Sequence, residues 1–494
     1  MGTGQPRYDH RKGFTAASPD RERGNQPGKH RLPTIIMQEK KQRKSKEAPT
    51  SLRGMRDIIG DEHYDYQGFF EKAAEIAVYY GFKPIETPIL EKEEVFTSGV
   101  GIGTDIIDKE MYSLKIKGGE RLAMRPEGTA GTMRAYLENG MRSWPQPVML
   151  YSYGSFFRHE NPQKGRWREF RQFNIEMLGT SKSIADAMII KIIATILEEA
   201  GLKNIQVRIN SIGDKECRPA YIKELTAYYR KHLNSVCANC QQRIKTNPLR
   251  LLDCKDSKCT EIQGGAPDPI SSLCNECRTH FKEVIEYLEE THVSYEIDNR
   301  LVRGLDYYTK TVFEIFNESE PLTDKDANEP DTTEKDIADK KKKGDSETTR
   351  PLALAAGGRY DRLAESMGSR KPVPSVGGGI GVDRVLLSPD RFILRPRIVK
   401  KPKVYFIQLG FEAKLKCIAV IEILRKARVP IMHSVSKDKL SGQLAVAERL
   451  SIPYTVILGQ KEAMEGTVIV RNMNTRSQDT VALADLAMYI KKIS

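Results

Sequence analysis

Basic side chains crowd into one short loop of this sequence, between two strand-like runs at 148–160 and 168–178. Glycine, proline and alternating apolar residues predict a hairpin here. The guanidinium group of arginine presents a fixed fork of donors to oxyanions, so a loop of this composition is suited to phosphate. The ionisable residues of the loop, which surround Gly165, are Arg158, His159, Glu160, Lys164, Arg166 and Arg168.

The second of these strands has a polar face. Side chains alternate between the two faces of a strand, so Gln172, Asn174 and Glu176 share one face. Phe173, Ile175 and Met177 share the other face, which would pack on a core. The polar face either lines a cleft or belongs to an ordinary half-solvated strand, and alternation alone favours the second reading.

Three further segments combine glycine with arginine, aspartate or tyrosine. In LVRGLDYY (301–308) the glycine allows close approach to a ligand, although a buried Arg–Asp ion pair would explain an isolated match equally well. AAGGRYDRL (355–363) places paired glycines before an arginine. GGGIGVDRVLL (377–387) has neither the spacing of a phosphate-binding Walker loop nor that of a dinucleotide fingerprint.

Six of the eight cysteines fall within 237–277, which indicates a metal site or reduced thiols rather than a secreted disulfide framework. Two Cys-x-x-Cys pairs are a strong zinc signal, but the gap between them exceeds the usual window of about 15–20 residues. A structural Zn²⁺ and a set of free thiols therefore both remain open. The candidate ligands are Cys237, Cys240, Cys274 and Cys277, with Cys254 and Cys259 between the pairs.

Charge and hydropathy limit the class of protein. The formal net charge of +13 favours a polyanionic partner such as nucleic acid, and residues 1–50 hold twelve Lys/Arg against five Asp/Glu. No run of about 18 apolar residues occurs, so we expect no membrane span. The first residues lack the apolar core of a secretory signal, and we expect a cytoplasmic protein.

Apolar periodicity predicts the elements around these segments. Helical spacing covers 64–80 and 183–200, and the run IQVRIN reads as a strand. From Lys403 the pattern is βαβαβ, then a strand and a final helix, which is typical of a small α/β domain.

Together these motifs resemble the class II aminoacyl-tRNA synthetases. FKPIETPIL (82–90), with Pro88, resembles motif 1, which builds a dimer interface, and 157–176 resembles motif 2. GGGIGVDR resembles motif 3. LVRGLDYY and GGRYD are similar to the two signatures of histidyl-tRNA synthetases, and NPLRLLDC (247–254) is similar to the bacterial type.

The resemblance implies an α+β fold: a catalytic domain with an antiparallel six-stranded sheet and a helical insertion, followed by a C-terminal α/β anticodon-binding domain. We expect a disordered basic extension, two catalytic parts around a Cys-rich helical insertion, and the anticodon-binding domain. Their ranges are 1–50, 51–214, 215–292, 293–395 (with a disordered insertion at 318–350) and 403–494.

The resemblance also implies substrates and roles. The substrates would be ATP with Mg²⁺, L-histidine and tRNA(His), and the enzyme would be a homodimer. Arg158 and Arg384 would bind ATP, and these two with Arg303 would be catalytic. Gln163 and Arg166 would meet the tRNA acceptor stem. The histidine-binding residues would be Glu127, Gly128, Thr129, Gln172, Glu176, Arg303, Tyr307, Tyr308 and Tyr360.

Two positions depart from the typical pattern. Asn161 stands where the family usually has arginine, and Asp383 where the class usually has glutamate.

Three other functions compete with this one. A regulatory subunit of ATP phosphoribosyltransferase would share the fold, but such subunits usually lack the last domain and have degraded motifs. A plain tRNA-binding module would leave the pocket residues unexplained. The two histidine signatures argue against a class II synthetase for another amino acid.

Overall fold

The computed structural model describes residues 48–101, 104–163, 165–318, 352–436 and 439–493. Almost all of the predicted N-terminal extension and of the predicted 318–350 insertion lies outside these residues. Among the described residues, no helix combines the length and the apolar character needed to cross a lipid bilayer.

The part of the chain before the Cys-rich segment holds four α-helices and seven strands in its described residues. The helices are α1 (Asp61–Tyr79), α2 (Glu93–Val100), α3 (Thr129–Glu138) and α4 (Ser183–Glu199), with a π-helix at Ile106–Glu110 and a 3₁₀ turn at Met141–Ser143. The strands are β1 (Lys83–Pro84), β2 (Leu90–Lys92), β3 (Ser113–Lys115), β4 (Arg121–Met124), β5 (Val148–Phe157), β6 (Glu169–Leu178) and β7 (Ile205–Ser211).

The Cys-rich segment is helical, and the chain then returns to strands. Its helices are α5 (Arg218–Lys231), α6 (Ala238–Thr246), α7 (Ser257–Gly264) and α8 (Asn275–Glu290), with 3₁₀ turns at Leu233–Ser235, Pro248–Leu251 and Ile270–Ser272. The elements that follow are β8 (Tyr295–Ile297), β9 (Thr309–Asn317), β10 (Ala355–Arg359), α9 (Leu363–Ser366), β11 (Ser375–Gly381) and α10 (Val382–Leu387).

The main sheet has the order β1-β5-β6-β11-β10-β9-β7-β8 in the part of the chain that the structure describes. Its six central strands pair antiparallel, as the resemblance predicts. Short strands β1 and β8 add a parallel pairing at each edge. A second small sheet, β2-β4-β3, was not expected.

Helix α4 covers one face of the main sheet. Most of its residues are apolar, and Ile189, Ile192 and Ile196 are fully buried, as expected for a helix that packs on several neighbours. It lies in one core cluster with Phe173, Ile175 and Met177 of β6 and with the apolar side of α8. The other face of β6 is therefore left for the polar side chains.

A buried ion pair joins three of these elements. Arg359 at the end of β10 is fully buried and pairs with Asp186 of α4, which also contacts His280 of α8 at 3.2 Å. Burial alone would raise the pKa of Asp186, but the charge of Arg359 and the bond from His280 lower it overall. Arg359 also donates to the carbonyls of Thr180 and Lys182. This arginine of the GGRYD motif is thus part of the scaffold that holds the sheet to its helices.

The C-terminal residues form a separate sheet with cores of its own. The elements are β12 (Val404–Gln408), α11 (Phe411–Lys426), β13 (Ile431–His433), α12 (Leu440–Arg449), β14 (Tyr454–Leu458), α13 (Gln460–Glu465), β15 (Thr467–Asn472), β16 (Gln478–Ala482) and α14 (Leu486–Ile493).

The strand order in this sheet is β13-β12-β14-β15-β16, parallel among the first three strands and antiparallel after them. The predicted βαβαβ pattern, the next strand and the final helix are all present. The short helix α13 and strand β16 were not expected.

Candidate active site

The polar face of β6 is buried at two of its three polar residues and half-buried at Gln172. Asn174 is 5% exposed and Glu176 is 2% exposed, while the opposite face lies in the core. An acid buried this deeply must be met by donors, because burying an unpaired carboxylate is costly. Strand β6 therefore carries its candidate functional side chains in a region that is shielded from water.

The neighbouring strand β11 makes room for these side chains because it is built from glycine. Gly377 pairs with Glu176, and Gly379 pairs with Asn174. A Cβ atom on Gly377 would lie 1.6 Å from Oε2 of Glu176, and one on Gly379 would lie 2.5 Å from Oδ1 of Asn174. The glycine run of motif 3 is thus explained by the volume of the side chains beside it and not by a phosphate-binding turn.

A second buried acid, Glu127, stands at the N-terminus of α3. Its carboxylate accepts hydrogen bonds from the backbone N–H groups of Thr129 and Ala130, both at 2.8 Å. The hydroxyl of Tyr307 donates to the same carboxylate at 3.2 Å. Burial raises the pKa of Glu127, and these three donors oppose that effect.

Hydrogen bonds connect the two acids into one network. The hydroxyl of Thr129 donates to Oε1 of Glu176 at 2.6 Å, and the hydroxyl of Tyr360 donates to Oε2. The ring of Tyr307 lies 4.6 Å from that of Tyr308 and 5.7 Å from that of Tyr360, measured between centroids. Three tyrosine rings thus wall a site that contains two carboxylates.

The electrostatics of this pocket favour a positively charged ligand. Burial raises the pKa of Glu176 to about 8, and the charge of Glu127 adds to the shift, while the bonds from Thr129 and Tyr360 oppose it. A cationic group that entered the pocket would relieve the repulsion and would favour the ionised form of both acids.

Arginines form a separate group of opposite charge. Burial, together with the positive charges of Arg166 and Arg158, lowers the pKa of Arg384 to about 10, while Glu160 acts against them. Arg384 is fixed by donating to the carbonyls of Gly165 and Ala353, at 3.0 and 2.7 Å. Cations held this close together are suited to an anion that carries several charges, such as a polyphosphate.

Two contacts fix Arg158 within the arginine group. Its Nε donates to the carbonyl of Pro126 at 2.9 Å, and its guanidinium lies over the ring of Phe170 at 5.3 Å. Pro126 directly precedes Glu127, so one backbone segment holds both an arginine of the basic group and an acid of the pocket.

Arg303 lies on the segment before β9 and pairs with Glu314 of that strand. Its side chain is 20% exposed, and its buried Nε has no hydrogen-bond partner among the described residues. Arg303 is not paired with Asp306, which instead accepts a bond from Asn247 at 2.8 Å. The simple Arg–Asp ion pair that an isolated RGLD would suggest is therefore not formed.

Comparison with known proteins gives one family. A family model described as histidyl-tRNA synthetase matches residues 54–323, and one described as an anticodon binding domain matches 403–493. The histidine–tRNA ligase of Desulforamulus reducens is 38% identical over 442 residues, which are 90% of this chain and 99% of that protein. The corresponding protein of Caldicellulosiruptor bescii is 37% identical over 440 residues, covering 89% and 98%.

This chain belongs to the histidyl-tRNA synthetase family.

A solved structure agrees with that assignment. The crystal structure of apo S. aureus histidyl-tRNA synthetase superposes with a TM-score of 0.69 at 27% identity, over 90% of this chain and 100% of that one. The predicted α+β fold, with a large central sheet and a separate C-terminal sheet domain, is confirmed for this member of the family.

Asp383, which departs from the class pattern, has a defined place in the synthetase. Its Oδ1 accepts from the hydroxyl of Tyr66 at 2.7 Å, and its Oδ2 accepts from the backbone N–H of Arg171 at 2.5 Å. The shorter acid therefore connects motif 3 to α1 and β6. The other departure, Asn161, is exposed.

The remaining residues implied by the resemblance lie around these groups. Gln172 is half-buried on the same face of β6 as Asn174. Gly128 lies against the amide of Asn174. Gln163 and Arg166 exchange two backbone hydrogen bonds, at 3.1 and 2.8 Å, in a tight turn of the basic loop. Asn174 and Glu314 were not predicted as site residues. The alternation of polar and apolar residues along β6 and β9 could have indicated both.

The proposed grouping of the cysteines is wrong. Cys237 and Cys240 lie with Cys254 and Cys259, whereas Cys274 and Cys277 lie with Asp214 and Cys217. The two Cys-x-x-Cys pairs thus belong to two clusters, because the helices that carry them begin at different places in the insertion. The long gap between the two pairs in the sequence indicates this division into two clusters.

The raised pKa of Glu176 predicts a pH-dependent stability. Between the ordinary carboxyl pKa and about 8, the folded state keeps a proton that the unfolded state releases. The contribution is therefore fully present below the ordinary pKa and is lost as the pH rises towards 8. We expect the unfolding free energy of the wild type, relative to Glu176→Gln, to fall across this window by up to about 1.4 kcal/mol per pH unit.

Urea unfolding of both proteins at several pH values measures this difference. Glu94→Gln, at a carboxylate that is 74% exposed, is the matched control and should show little pH dependence relative to the wild type. A wild-type to Glu176→Gln difference that stays constant over the window would contradict the burial argument.

Proposed function

We propose that this synthetase joins histidine to ATP to form histidyl-adenylate and then transfers histidine to the 3′ end of tRNA(His). The observation that carries the proposal is a pair of buried acids, Glu127 and Glu176, beside a group of arginines that includes Arg158 and Arg384. Histidine offers cationic and N–H groups to the first, while its carboxylate and the phosphates of ATP are suited to the second.

The acids and tyrosines recognise histidine. Glu127 and Thr129, with Gln172, meet the α-ammonium group, and Gly128 lets the ligand approach the backbone. Glu176 and Tyr308 each meet one imidazole nitrogen, since both ring nitrogens need a partner in a buried site. Tyr307 and Tyr360 wall the pocket. An apolar analogue of similar shape would leave these buried groups unpaired and would be rejected strongly.

The arginines perform the chemistry without a protein nucleophile. The histidine carboxylate attacks the α-phosphorus, a new C–O–P bond forms, and pyrophosphate leaves. Arg158 binds the α-phosphate, Arg384 binds the γ-phosphate, and Arg303 stands between the carboxylate and the α-phosphate. Fixed cations lower the barrier because negative charge builds on the phosphate oxygens in the transition state.

Mg²⁺ fits the acid beside the arginines. Glu314 is half-buried, and its charge interacts with both Arg303 and Arg384, so it offers a hard oxygen ligand next to the polyphosphate region. When bound, the ion would neutralise charge on the phosphate oxygens. Glu314 also orients Arg303 through their ion pair.

The other expected contacts concern tRNA and a second subunit. Gln163 and Arg166, in the turn of the basic loop, meet the acceptor stem, and the domain at 403–494 binds the anticodon. The homodimer forms through the segment around Pro88, where Ile89 and Leu90 are each 47% exposed in the single chain. We also propose that the enzyme is cytoplasmic. The proposed catalytic parts are 51–214 and 293–395, and the proposed insertion is 215–292.

A regulatory, non-catalytic role is the less favoured alternative. Such a protein would not need Arg158, Arg303 and Arg384 together, nor the domain at 403–494. Within the described part of the chain, Nε of Arg303 has no hydrogen-bond partner, and a buried N–H of this kind is suited to a ligand oxygen, which favours catalysis.

Arg303→Ala tests the catalytic role. Loss of this cation should lower the rate of histidine-dependent ATP–pyrophosphate exchange by about 100- to 1000-fold, the range expected when one fixed donor to a developing oxyanion is removed. Arg121→Ala is the control, because Arg121 also pairs with a glutamate, Glu93, but lies outside the site. Near-normal exchange by a folded Arg303→Ala protein would refute the role.

Gly377→Ala tests the glycine floor of the pocket. The added methyl group would collide with the Glu176 carboxylate and displace it, leaving buried donors unpaired at a cost of about 1–3 kcal/mol. The KM for histidine in pyrophosphate exchange should therefore rise roughly 5- to 150-fold, with a smaller change for ATP. Gly442→Ala, at an exposed helix position with no atom within 4 Å, should change neither. An unchanged KM for histidine in Gly377→Ala would show that Glu176 does not bind the substrate.

A further inference from the structure

Four cysteine sulfurs converge where the 3₁₀ turn and helices of the insertion meet. The Sγ atoms of Cys237, Cys240, Cys254 and Cys259 all lie within 4.8 Å of one another, and none forms a disulfide. Cys240, Cys254 and Cys259 are buried. Four ligand atoms from one small region, at such short separations, match the arrangement that a tetrahedral ion requires.

The separations agree with zinc in detail. A tetrahedral Zn²⁺ with Zn–S distances of about 2.3 Å places its sulfurs about 3.8 Å apart. The Sγ atoms of Cys237 and Cys254 are 3.7 Å apart. The backbone N–H of Cys240 donates to Sγ of Cys237 at 3.4 Å, and the N–H of Cys237 donates to Sγ of Cys259 at 3.3 Å. Such donors stabilise metal-bound thiolates.

A second cluster has three sulfurs and one carboxylate. The ligand atoms of Asp214, Cys217, Cys274 and Cys277 also lie within 4.8 Å of one another. Sγ of Cys217 and Oδ1 of Asp214 are 3.6 Å apart, which matches the edge of about 3.6 Å for a tetrahedral ion with one oxygen and one sulfur ligand. The backbone N–H of Asp214 donates to Sγ of Cys217 at 3.4 Å.

We propose that each cluster holds one structural Zn²⁺, so that the chain binds two. The first ion is held by Cys237, Cys240, Cys254 and Cys259. The second is held by Asp214, Cys217, Cys274 and Cys277. Both are closed four-ligand sites with no position left for a substrate, which is the pattern of structural rather than catalytic zinc.

The local fold explains why ions would be needed here. Helices α6 and α7 have nine and eight residues, too short to be stable alone in water. The first ion joins the starts of both helices to the turn between them. Gln263 of α7 is 2% exposed and donates to the carbonyls of Cys254 and Leu251, which joins α7 to the same turn. An ion at the cluster would add a further cross-link between these short elements.

Hydrogen bonds connect residues next to both clusters with the signature LVRGLDYY. Arg218, which follows the ligand Cys217, donates to the carbonyl of Tyr308 at 2.6 Å. Asn247, in the segment between Cys240 and Cys254, donates to Asp306 at 2.8 Å. The ions would therefore hold the insertion against the segment that carries Arg303 and the pocket tyrosines.

Metal content of the purified full-length protein tests the proposal without relying on the activity. Inductively coupled plasma mass spectrometry should find two zinc ions per wild-type chain and one in each paired variant, Cys254→Ser with Cys259→Ser, and Cys217→Ser with Cys277→Ser. Cys417→Ser, at the buried cysteine outside both clusters, is the control and should keep two. Zinc at background level, a single zinc, or iron in the wild type would overturn the proposal.

Thiol titration keeps the test valid if a variant fails to fold. In the native wild type, Ellman's reagent should react with at most one of the eight cysteines, and chelation should release zinc together with seven further reactive thiols. Replacement of zinc by Co²⁺ should give thiolate-to-metal absorption of two types, for four sulfurs and for three sulfurs with one oxygen. Free reactivity of the seven cluster members before chelation would contradict both sites.

Discussion

The buried carboxylate of Glu176 is the constraint on which much of the site depends. An acid at 2% exposure must be met by donors, and the structure supplies the hydroxyls of Thr129 and Tyr360. It must also have space, and that space exists only because position 377 has no side chain. One buried side chain therefore constrains three segments: the start of α3, the GGRYD motif and the glycine strand of motif 3.

The second organising feature is the presence of two oppositely charged groups in the site. Glu127 and Glu176 share a pocket walled by tyrosines, where burial raises the pKa of both acids and the charge of Glu127 adds to the rise for Glu176. Arg158, Arg166 and Arg384 form the other group, where burial and the neighbouring positive charges lower the pKa of Arg384. Neither group is fully neutralised by the protein, so a ligand with a cationic end and anionic groups would stabilise both. An amino acid beside a nucleotide triphosphate has this distribution.

How much the sequence could predict depended on the range of the interactions. Alternation along β6 separated Asn174 and Glu176 from Phe173 and Ile175 correctly, because the period of a strand is a local property. Whether the polar face met water could not be decided locally, since Thr129 and Tyr360, which contact Glu176 on that face, are distant from it in the sequence. The role of Gly377 was hidden for the same reason: its partner is known only once the strand register is known.

The cysteines and the sheet show the same limit. Spacing predicted a candidate metal region in the insertion, but the sorting of Cys237 and Cys274 into different clusters depends on how four helices pack. The antiparallel pairing of the six central strands was predicted from family resemblance and not from patterning, and neither predicted their order. Glu314, the partner of Arg303, lies in a strand for which the sequence predicted no functional residue.

The central claim is that the pocket around Glu176 selects histidine for activation by ATP. ATP–pyrophosphate exchange, measured with each of the twenty amino acids in the absence of tRNA, tests this claim most directly. We expect ATP–pyrophosphate exchange with histidine alone. Exchange with a different amino acid would contradict the assignment of the pocket, and no exchange with any amino acid by folded protein, with tRNA then also supplied, would contradict the catalytic role of the arginines.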